Sequence, residues 1–328
     1  MIRRFSAMLL ALAAMLPAML PAPLHAQEAD AATALWAQDL RLASVAERIM
    51  AANAHLCRTT MPITGMILHS ADQYGPQTGN WFRDGSTGVL QVVPGSSADR
   101  AGIRSGDALL AVGTTQTRDL ALQVGYPRRD AAYQVIAEWP SGQALGLTVS
   151  SAGLERQVTL TPPSGCRALV EVLSDNNSTA HADGRVIQIS YALAAQLSDD
   201  ALATVFAHEL AHIALESRRR LREAGVPNGF AREFGTHRRL ARRAEIEADL
   251  LSVHLLANAG YDPQIAPRFW DAEAALVLGS DLFSSRVYPS HRNRARLMRE
   301  EIAVHLAAAP LPSSAPHLLA ERDRPFAD

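Results

Sequence analysis

The stretch Ala207-His208-Glu209-Leu210-Ala211-His212, with Glu245-Ile246-Glu247-Ala248-Asp249 further along, decides how the rest of the chain is read. Ser198 stands ahead of Asp199 and Asp200, and Leu202, Val205, Phe206 and Ile213 follow at helical spacing. A serine N-cap, two acids at the positive end of the helix dipole and an apolar face predict a buried helix. Residues four apart on a helix lie one turn above each other, so His208 and His212 present their imidazoles on one face, with Glu209 beside them. Two neutral imidazoles and one carboxylate form a donor set that Zn²⁺ accepts, with a fourth position open to water.

A second long helix is expected over residues 236–258, stopped by Gly260 and Pro263. Glu245 and Asp249 share one of its faces. Glu245 is the best candidate for the third metal ligand, and Asp249 can accept the free N–H of a ligand imidazole and fix its tautomer. Glu247 falls on another face and is assigned to solvent. His-Glu-x-x-His on a helix is the signature of metal-dependent peptide hydrolysis, and the downstream acidic pair narrows it. In the arginine-rich connector between the two helices, Arg218, Arg219, Arg220 and Arg222 read as a solvated surface. His181, His237, His254, His291 and His305 read as surface or packing residues.

Upstream the character changes. Between residues 61 and 163 short apolar strands alternate with glycine turns. The phrase Gly88-Val89-Leu90-Gln91-Val92-Val93-Pro94-Gly95-Ser96-Ser97-Ala98-Asp99-Arg100-Ala101-Gly102-Ile103-Arg104-Ser105-Gly106-Asp107 reads as a strand, a Pro-Gly turn, one small-residue helical turn and a second turn. A helix near residues 131–139 and strands at 145–149 and 157–160 close the unit. The phrase resembles a PDZ domain of the bacterial HtrA type. That resemblance implies binding of extended peptides by strand addition at a sheet edge, beside a carboxylate-binding loop. It places the loop at Ile63, Thr64, Gly65, Met66 and Ile67. The alternative is a brace between domains with no free groove.

At the N-terminus, Arg3 and Arg4 precede an apolar run over residues 7–20, and Leu24-His25-Ala26 ends in a small residue. This pattern is that of a secretory signal, so a periplasmic or secreted protein is expected, with no membrane span in the mature chain. In an oxidising compartment Cys57 and Cys166, the only two cysteines, are expected to form a disulfide. They flank the PDZ-like unit, whose two ends lie close together, and so staple the neck of an inserted domain. Closing a loop of about 100 residues stabilises by roughly 4–5 kcal/mol in the chain-entropy model. The 328 residues, 48% of them hydrophobic, suffice for two compact units, and a formal charge of −2 does not favour nucleic acid as a partner. The expected layout is a signal peptide over 1–26, an N-terminal helix packing on the protease domain over 27–57, a PDZ-like domain over 58–163, a metallopeptidase domain over 164–307 and a disordered tail over 308–328.

From about residue 166 to 307 the chain resembles the HtpX/Ste-type gluzincin metallopeptidases, which include Oma-like and periplasmic members. The resemblance is carried by residues 177–190, which open with Asn177-Ser178-Thr179-Ala180-His181-Ala182-Asp183-Gly184, by residues 200–212 and by residues 245–249. It implies an α+β fold: a mainly helical zincin-type domain with a small sheet, plus the inserted β-rich PDZ-like domain. It further implies His208, His212 and Glu245 as ligands of one Zn²⁺ per chain, Glu209 as the catalytic base and Asp249 as the partner of a ligand imidazole. The strand over 185–190 would hold substrate by edge pairing. The family often has His-Pro-Ser before the last helix and an arginine shortly after. Here Tyr288 stands in place of that histidine, while Pro289, Ser290 and Arg294 remain. Arg294 is a candidate either to stabilise an oxyanion or to pair with a carboxylate near the metal, and Tyr288 and His291 are candidates for the missing histidine's role. The expected activity is zinc-dependent endopeptidase action on exported or envelope proteins, in protein quality control, with the PDZ-like domain aiding selection of protein or peptide substrates. The alternative is a PDZ-based periplasmic chaperone or scaffold with a closed or inactive zinc site.

Overall fold

The computed structural model describes residues 24–74, 81–122, 124–227, 235–277, 287 and 289–326. Residues 1–23 of the expected signal segment, and Tyr288, lie outside them. The chain divides into units Met1–Ala34 and Leu35–Asp328. The first contributes the opening turns of helix α1, Leu24–Ala52, and the second carries everything discussed below. Among the described residues no helix is long and apolar enough to cross a membrane.

With no proline or glycine to interrupt it, α1 buries Leu42, Val45, Ala46, Ile49 and Met50, one face at helical spacing. It stops at Asn53, which is fully buried: its Nδ2 donates to the carbonyls of Ile49 and Leu255, and its Oδ1 accepts from Asn258. The chain then reaches Cys57, which is bonded to Cys166 with the Cα atoms 5.4 Å apart. Strand β1, Thr60–Pro62, leaves beside the bridge. Its antiparallel partner is the later strand Ser164–Cys166, with Thr60 opposite Cys166. The bridge and this short ladder together close the neck of the intervening segment, as the cysteine positions predict.

Inside the neck, β2 (Met66–Ser70), β3 (Thr87–Val92), β4 (Ala108–Val112), β5 (Thr115–Gln116), β6 (Leu145–Ser151) and β7 (Leu154–Leu160) form one antiparallel sheet in the order β2-β3-β4-β6-β7, with β5 on β4. The short helix α2, Ser97–Arg100, follows the Pro-Gly turn and is capped by Ser96, whose hydroxyl accepts from Asp99 N–H. Helix α3, Arg128–Glu138, lies on the sheet and places Ala132 and Ile136 in a core with Leu68, Val89, Ile103, Leu109, Leu145 and Val149. The strand Ser164–Cys166, β8, leads back out.

Beyond it, β9 (Leu169–Leu173), β10 (Ala180–Ala182) and β11 (Val186–Ser190) make a second sheet in the order β10-β11-β9, with β11 parallel to β9 and antiparallel to β10. The expectation that residues 185–190 hold substrate by edge pairing fails here: β11 is the central strand, with both edges occupied. The short outer strand β10 lies against the metal-site helix instead. After α4 (Tyr191–Ala194) come α5 (Asp199–Ala214), α6 (Ser217–Glu223) and α7 (Gly235–Asn258). Helices α5 and α7 pack on each other through Leu202, Phe206, Leu210, Leu251 and Leu255, in one core with the buried face of α1. The mixture of helix and sheet is α+β, as expected.

Three readings made from local sequence are corrected. Arg220 is not solvated but fully buried. Its Nη1 donates to Glu247 at 2.6 Å, and its guanidinium lies 3.9 Å from the centre of the Phe326 ring. Glu247 is accordingly buried too, and also accepts from Arg243 at 2.8 Å. Arg218 and Arg222 are exposed, as expected. Over residues 308–326 the tail is ordered rather than disordered: Pro316–Arg322 is helical, Ala315, Leu318 and Phe326 are buried, and Arg322 donates to the carbonyl of Leu56. A few apolar anchors and cations aimed at helix ends order a segment whose composition alone is that of a linker.

Candidate metal centre

Ser198 caps α5 by accepting from Ala201 N–H, and the helix runs into the core with apolar residues on most of its surface. His208 and His212, one turn apart, meet Glu245 from α7. The Nε2 atoms of the two histidines are 3.2 Å apart, and Oε2 of Glu245 lies 3.3 Å from His208 Nε2 and 3.5 Å from His212 Nε2. Donors about 2.0–2.1 Å from a tetrahedral Zn²⁺ stand about 3.4 Å from one another. The triangle therefore has the size and chemistry of a zinc site, so all three expected ligands converge. Glu209, in the same turn as His208, is 8% exposed.

Behind the triangle the support is charged. Asp249 Oδ1 lies 2.9 Å from His208 Nδ1, so the Nδ1–H donates to the carboxylate and the Nε2 lone pair is left facing Glu245 and His212. Asp249 is in turn held by Arg294, which is fully buried. Its Nε donates to Oδ2 at 2.6 Å, its Nη2 donates to Oδ1, and its guanidinium lies 3.4 Å from the Trp270 ring centre. Of the two roles open to Arg294, the structure displays the pairing with a carboxylate near the metal.

Electrostatics follow from this packing. Burial raises the Asp249 carboxyl, but Arg294 and His208 outweigh it and hold the group below its ordinary value. Burial likewise raises Glu245, and the two imidazoles overcome it, holding the carboxyl well below the usual range. For His208 burial disfavours the charged form, yet Asp249 and Glu245 together push the imidazole up to about 9. A metal held by the neutral imidazole of His208 would displace a proton from it.

His291 opens the helix His291–Glu301, which Ser290 caps through Asn293 N–H, and its ring packs 5.4 Å from Trp270. Trp270 was not singled out in the sequence. It sits in a π-helical turn, Phe269–Glu273, and nothing in its local spacing marks it as the plate under Arg294.

The proposed peptide loop lies elsewhere. Ile63, Thr64, Gly65, Met66 and Ile67 line an open pocket of about 90 Å³ together with Glu47 of α1 and Leu169 of β9, among others. Gly65 has φ +78°, and a Cβ there would stand 2.1 Å from that of Ser96, so both conformation and space require glycine. The outer edge of β2 is already engaged: Leu68 N–H donates to the Tyr133 hydroxyl at 2.7 Å, and that hydroxyl donates to the Met66 carbonyl at 3.3 Å.

Two family profiles match this chain, that of the PDZ domain over residues 88–125 and that of peptidase family M48 over residues 161–228. The mitochondrial metalloendopeptidase OMA1 of Schizosaccharomyces pombe is 27% identical over 199 residues, covering 52% of this chain and 59% of that relative. The chain thus spans little more than half the length of the curated relative it matches. With the His208, His212 and Glu245 triangle beside Glu209, these matches make the chain similar to peptidase family M48 over residues 161–228 and to the PDZ domain over residues 88–125.

Proposed function

We propose that the protein is a zinc-dependent endopeptidase acting on exported or envelope proteins, in protein quality control. The observation that carries this reading is the three-donor triangle of zinc dimensions with a glutamate in the same helical turn. When bound, zinc lowers the pKa of a coordinated water toward 7 and polarises the scissile carbonyl. Glu209 takes the proton of the attacking water and delivers it to the leaving amine nitrogen, serving as base and then as acid. Asp249 keeps the His208 imidazole in the tautomer that presents Nε2, and Arg294 keeps Asp249 ionised. Among the described residues no strand pairs with the outer edge of β10, where an extended substrate can add one, whereas β11 is flanked on both sides.

The layout that goes with this function is a peptidase domain formed by residues 27–57 and 164–307, a PDZ-like insert over 58–163, and removal of a signal over 1–26. The Cys57–Cys166 bridge supports an oxidising compartment. The insert takes part in selecting substrates, and a peptide that pairs with β2 must displace the Tyr133 hydroxyl from Leu68 and Met66.

The test compares wild type with Glu209→Gln. Zinc per chain and cleavage of an unfolded protein such as casein are measured with and without a chelator. Zinc in both proteins, with cleavage only in the untreated wild type, is the expected result. Zinc-loaded wild type that leaves casein and other unfolded proteins uncut, while still binding peptides, overturns the reading.

A further inference from the structure

Among the described residues a second group of metal-ligating side chains lies away from the α5 site. His254 comes from α7, Glu301 from the end of the His291–Glu301 helix, and His317 from the Pro316–Arg322 helix. Their candidate donor atoms all lie within 4.8 Å of one another. Nε2 of His254 is 2.8 Å, and Nε2 of His317 2.7 Å, from the same oxygen, Oε1 of Glu301. His254 and Glu301 are buried, whereas the side chain of His317 is 33% exposed and leaves a route to solvent. His305 stands one turn beyond Glu301 and shares its face. Its ring stacks on that of His317 with centroids 3.9 Å apart and planes 20° from parallel.

We propose that this cluster is a second divalent-cation site, filled by a borderline ion such as Zn²⁺. The ligands are His254 Nε2, His317 Nε2 and the Glu301 carboxylate, with His305 in reach of the fourth position by rotation of its exposed side chain. Two imidazole nitrogens and a carboxylate are a zinc donor set, and a third imidazole completes a closed, structural one. The metal-free cluster is held by two N–H donors sharing one carboxylate oxygen, the contacts that a cation between the three groups replaces. The outer support is also present. His254 Nδ1 lies 2.7 Å from the Ser313 hydroxyl, which is able to donate or accept. It thus stabilises either tautomer, including the one that frees Nε2 for a metal. Ser313 is itself fixed, with its N–H donating to Asn258 Oδ1 at 2.6 Å.

The site has a physical consequence. Its ligands come from three separated segments, so an ion there fastens the tail to the body much as a cross-link does. The tail beyond His317 sends Arg322 to the carbonyls of Leu56 and Ala214, and Ala214 is the last residue of the helix bearing His208 and His212. The second ion therefore secures a cation placed at the C-terminal end of the metal-site helix, where the helix dipole favours it. The inference rests on the tail's geometry and is independent of the peptidase reading.

Zinc titration of the full chain tests it, with bound metal counted after equilibrium dialysis. Wild type is expected to hold two zinc ions per chain, His317→Ala one, His212→Ala one, and the double variant none. Because substitution of the buried Glu301 can disturb folding, the half-exposed His317 carries the test. Cobalt absorption in His212→Ala, where only the tail site remains, is expected to show bands that vanish when His317→Ala is added. A zinc count that His317→Ala leaves unchanged, in wild type and in His212→Ala alike, overturns the proposal, as does a His212→Ala protein whose Tm is indifferent to added zinc.

Discussion

Replacing Arg294 with methionine separates a brace from a group that acts on substrate. Methionine keeps most of the side-chain volume, so a cavity contributes little. What is lost is electrostatic. Arg294 makes two charge-assisted hydrogen bonds to Asp249, at about 1.5–3 kcal/mol each, or roughly 3–6 kcal/mol together. Stacking on Trp270 adds about 1–2 kcal/mol. Breaking a buried ion pair by removing one partner costs about 3–5 kcal/mol in general, which agrees. A destabilisation of about 4 kcal/mol is expected, and on the order of 10 °C in Tm at about 2–4 °C per kcal/mol. Loosening Asp249 also loosens His208, so zinc affinity is expected to fall by roughly 10–100-fold.

The assay is a double-mutant cycle of Arg294→Met, Asp249→Asn and both together, followed by thermal unfolding of the chelated and the zinc-loaded proteins. Each single variant strands a buried charge and the pair strands none, so the double variant should be more stable than the summed costs by about 2–3 kcal/mol. Costs that add to within about 0.5 kcal/mol would refute the coupling. A near-native Tm and zinc affinity combined with a collapsed kcat would refute the brace itself and return Arg294 to the reacting atoms.

Other expectations are more local. Arg220→Met leaves buried Glu247 with Arg243 as its remaining cation and should cost about 2–4 kcal/mol, most of it regained in Arg220→Met/Glu247→Leu, as read from urea midpoints. Glu47 is raised by burial, partly offset by Arg100, to about 7 from 4.5, so the folded state holds a proton that the unfolded state has released. Its contribution is fully present below about pH 4.5 and is lost as pH rises through 7. Glu47→Gln should therefore flatten the stability profile between those limits, gaining, after discount for partial exposure, about 1 kcal/mol at pH 8 in denaturant titrations.

Much of the centre was legible because its chemistry sits on helical spacing. His208 and His212 at i and i+4, and Glu245 and Asp249 at i and i+4, are forced onto single faces by the helix itself, and the structure brings the two faces together. The neck of the insert was legible for a different reason: an isolated pair of cysteines flanking a unit with adjacent ends leaves the chain little choice. Strand order was not legible. That β11 is central and β10 the edge depends on a parallel pairing with β9, which no local pattern in residues 185–190 encodes. The engagement of β2 by Tyr133 joins residues far apart in sequence and was equally hidden.

The misread charges share one cause, and α7 displays it. A helix with Glu245, Glu247 and Asp249 within two turns suggests a wet side, and on an isolated helix one of the three must face water. In the folded chain all three are buried, because each direction is met by a partner from elsewhere: His208 and His212 toward α5, Arg220 from α6, and Arg294 from the helix after residue 290. A turn further, His254 meets Glu301 and the tail. Binary patterning reads a buried carboxylate as exposed whenever its countercharge is remote in sequence. Arg220, which looked like solvated surface, and the tail that looked disordered are remote halves of those pairs. Glu247 is therefore the counterpart of Arg220 and Phe326, on the opposite side of α7 from Glu245 and Asp249. A charge-removing change at Arg220 should then loosen the tail while leaving the His208, His212 and Glu245 triangle able to bind zinc.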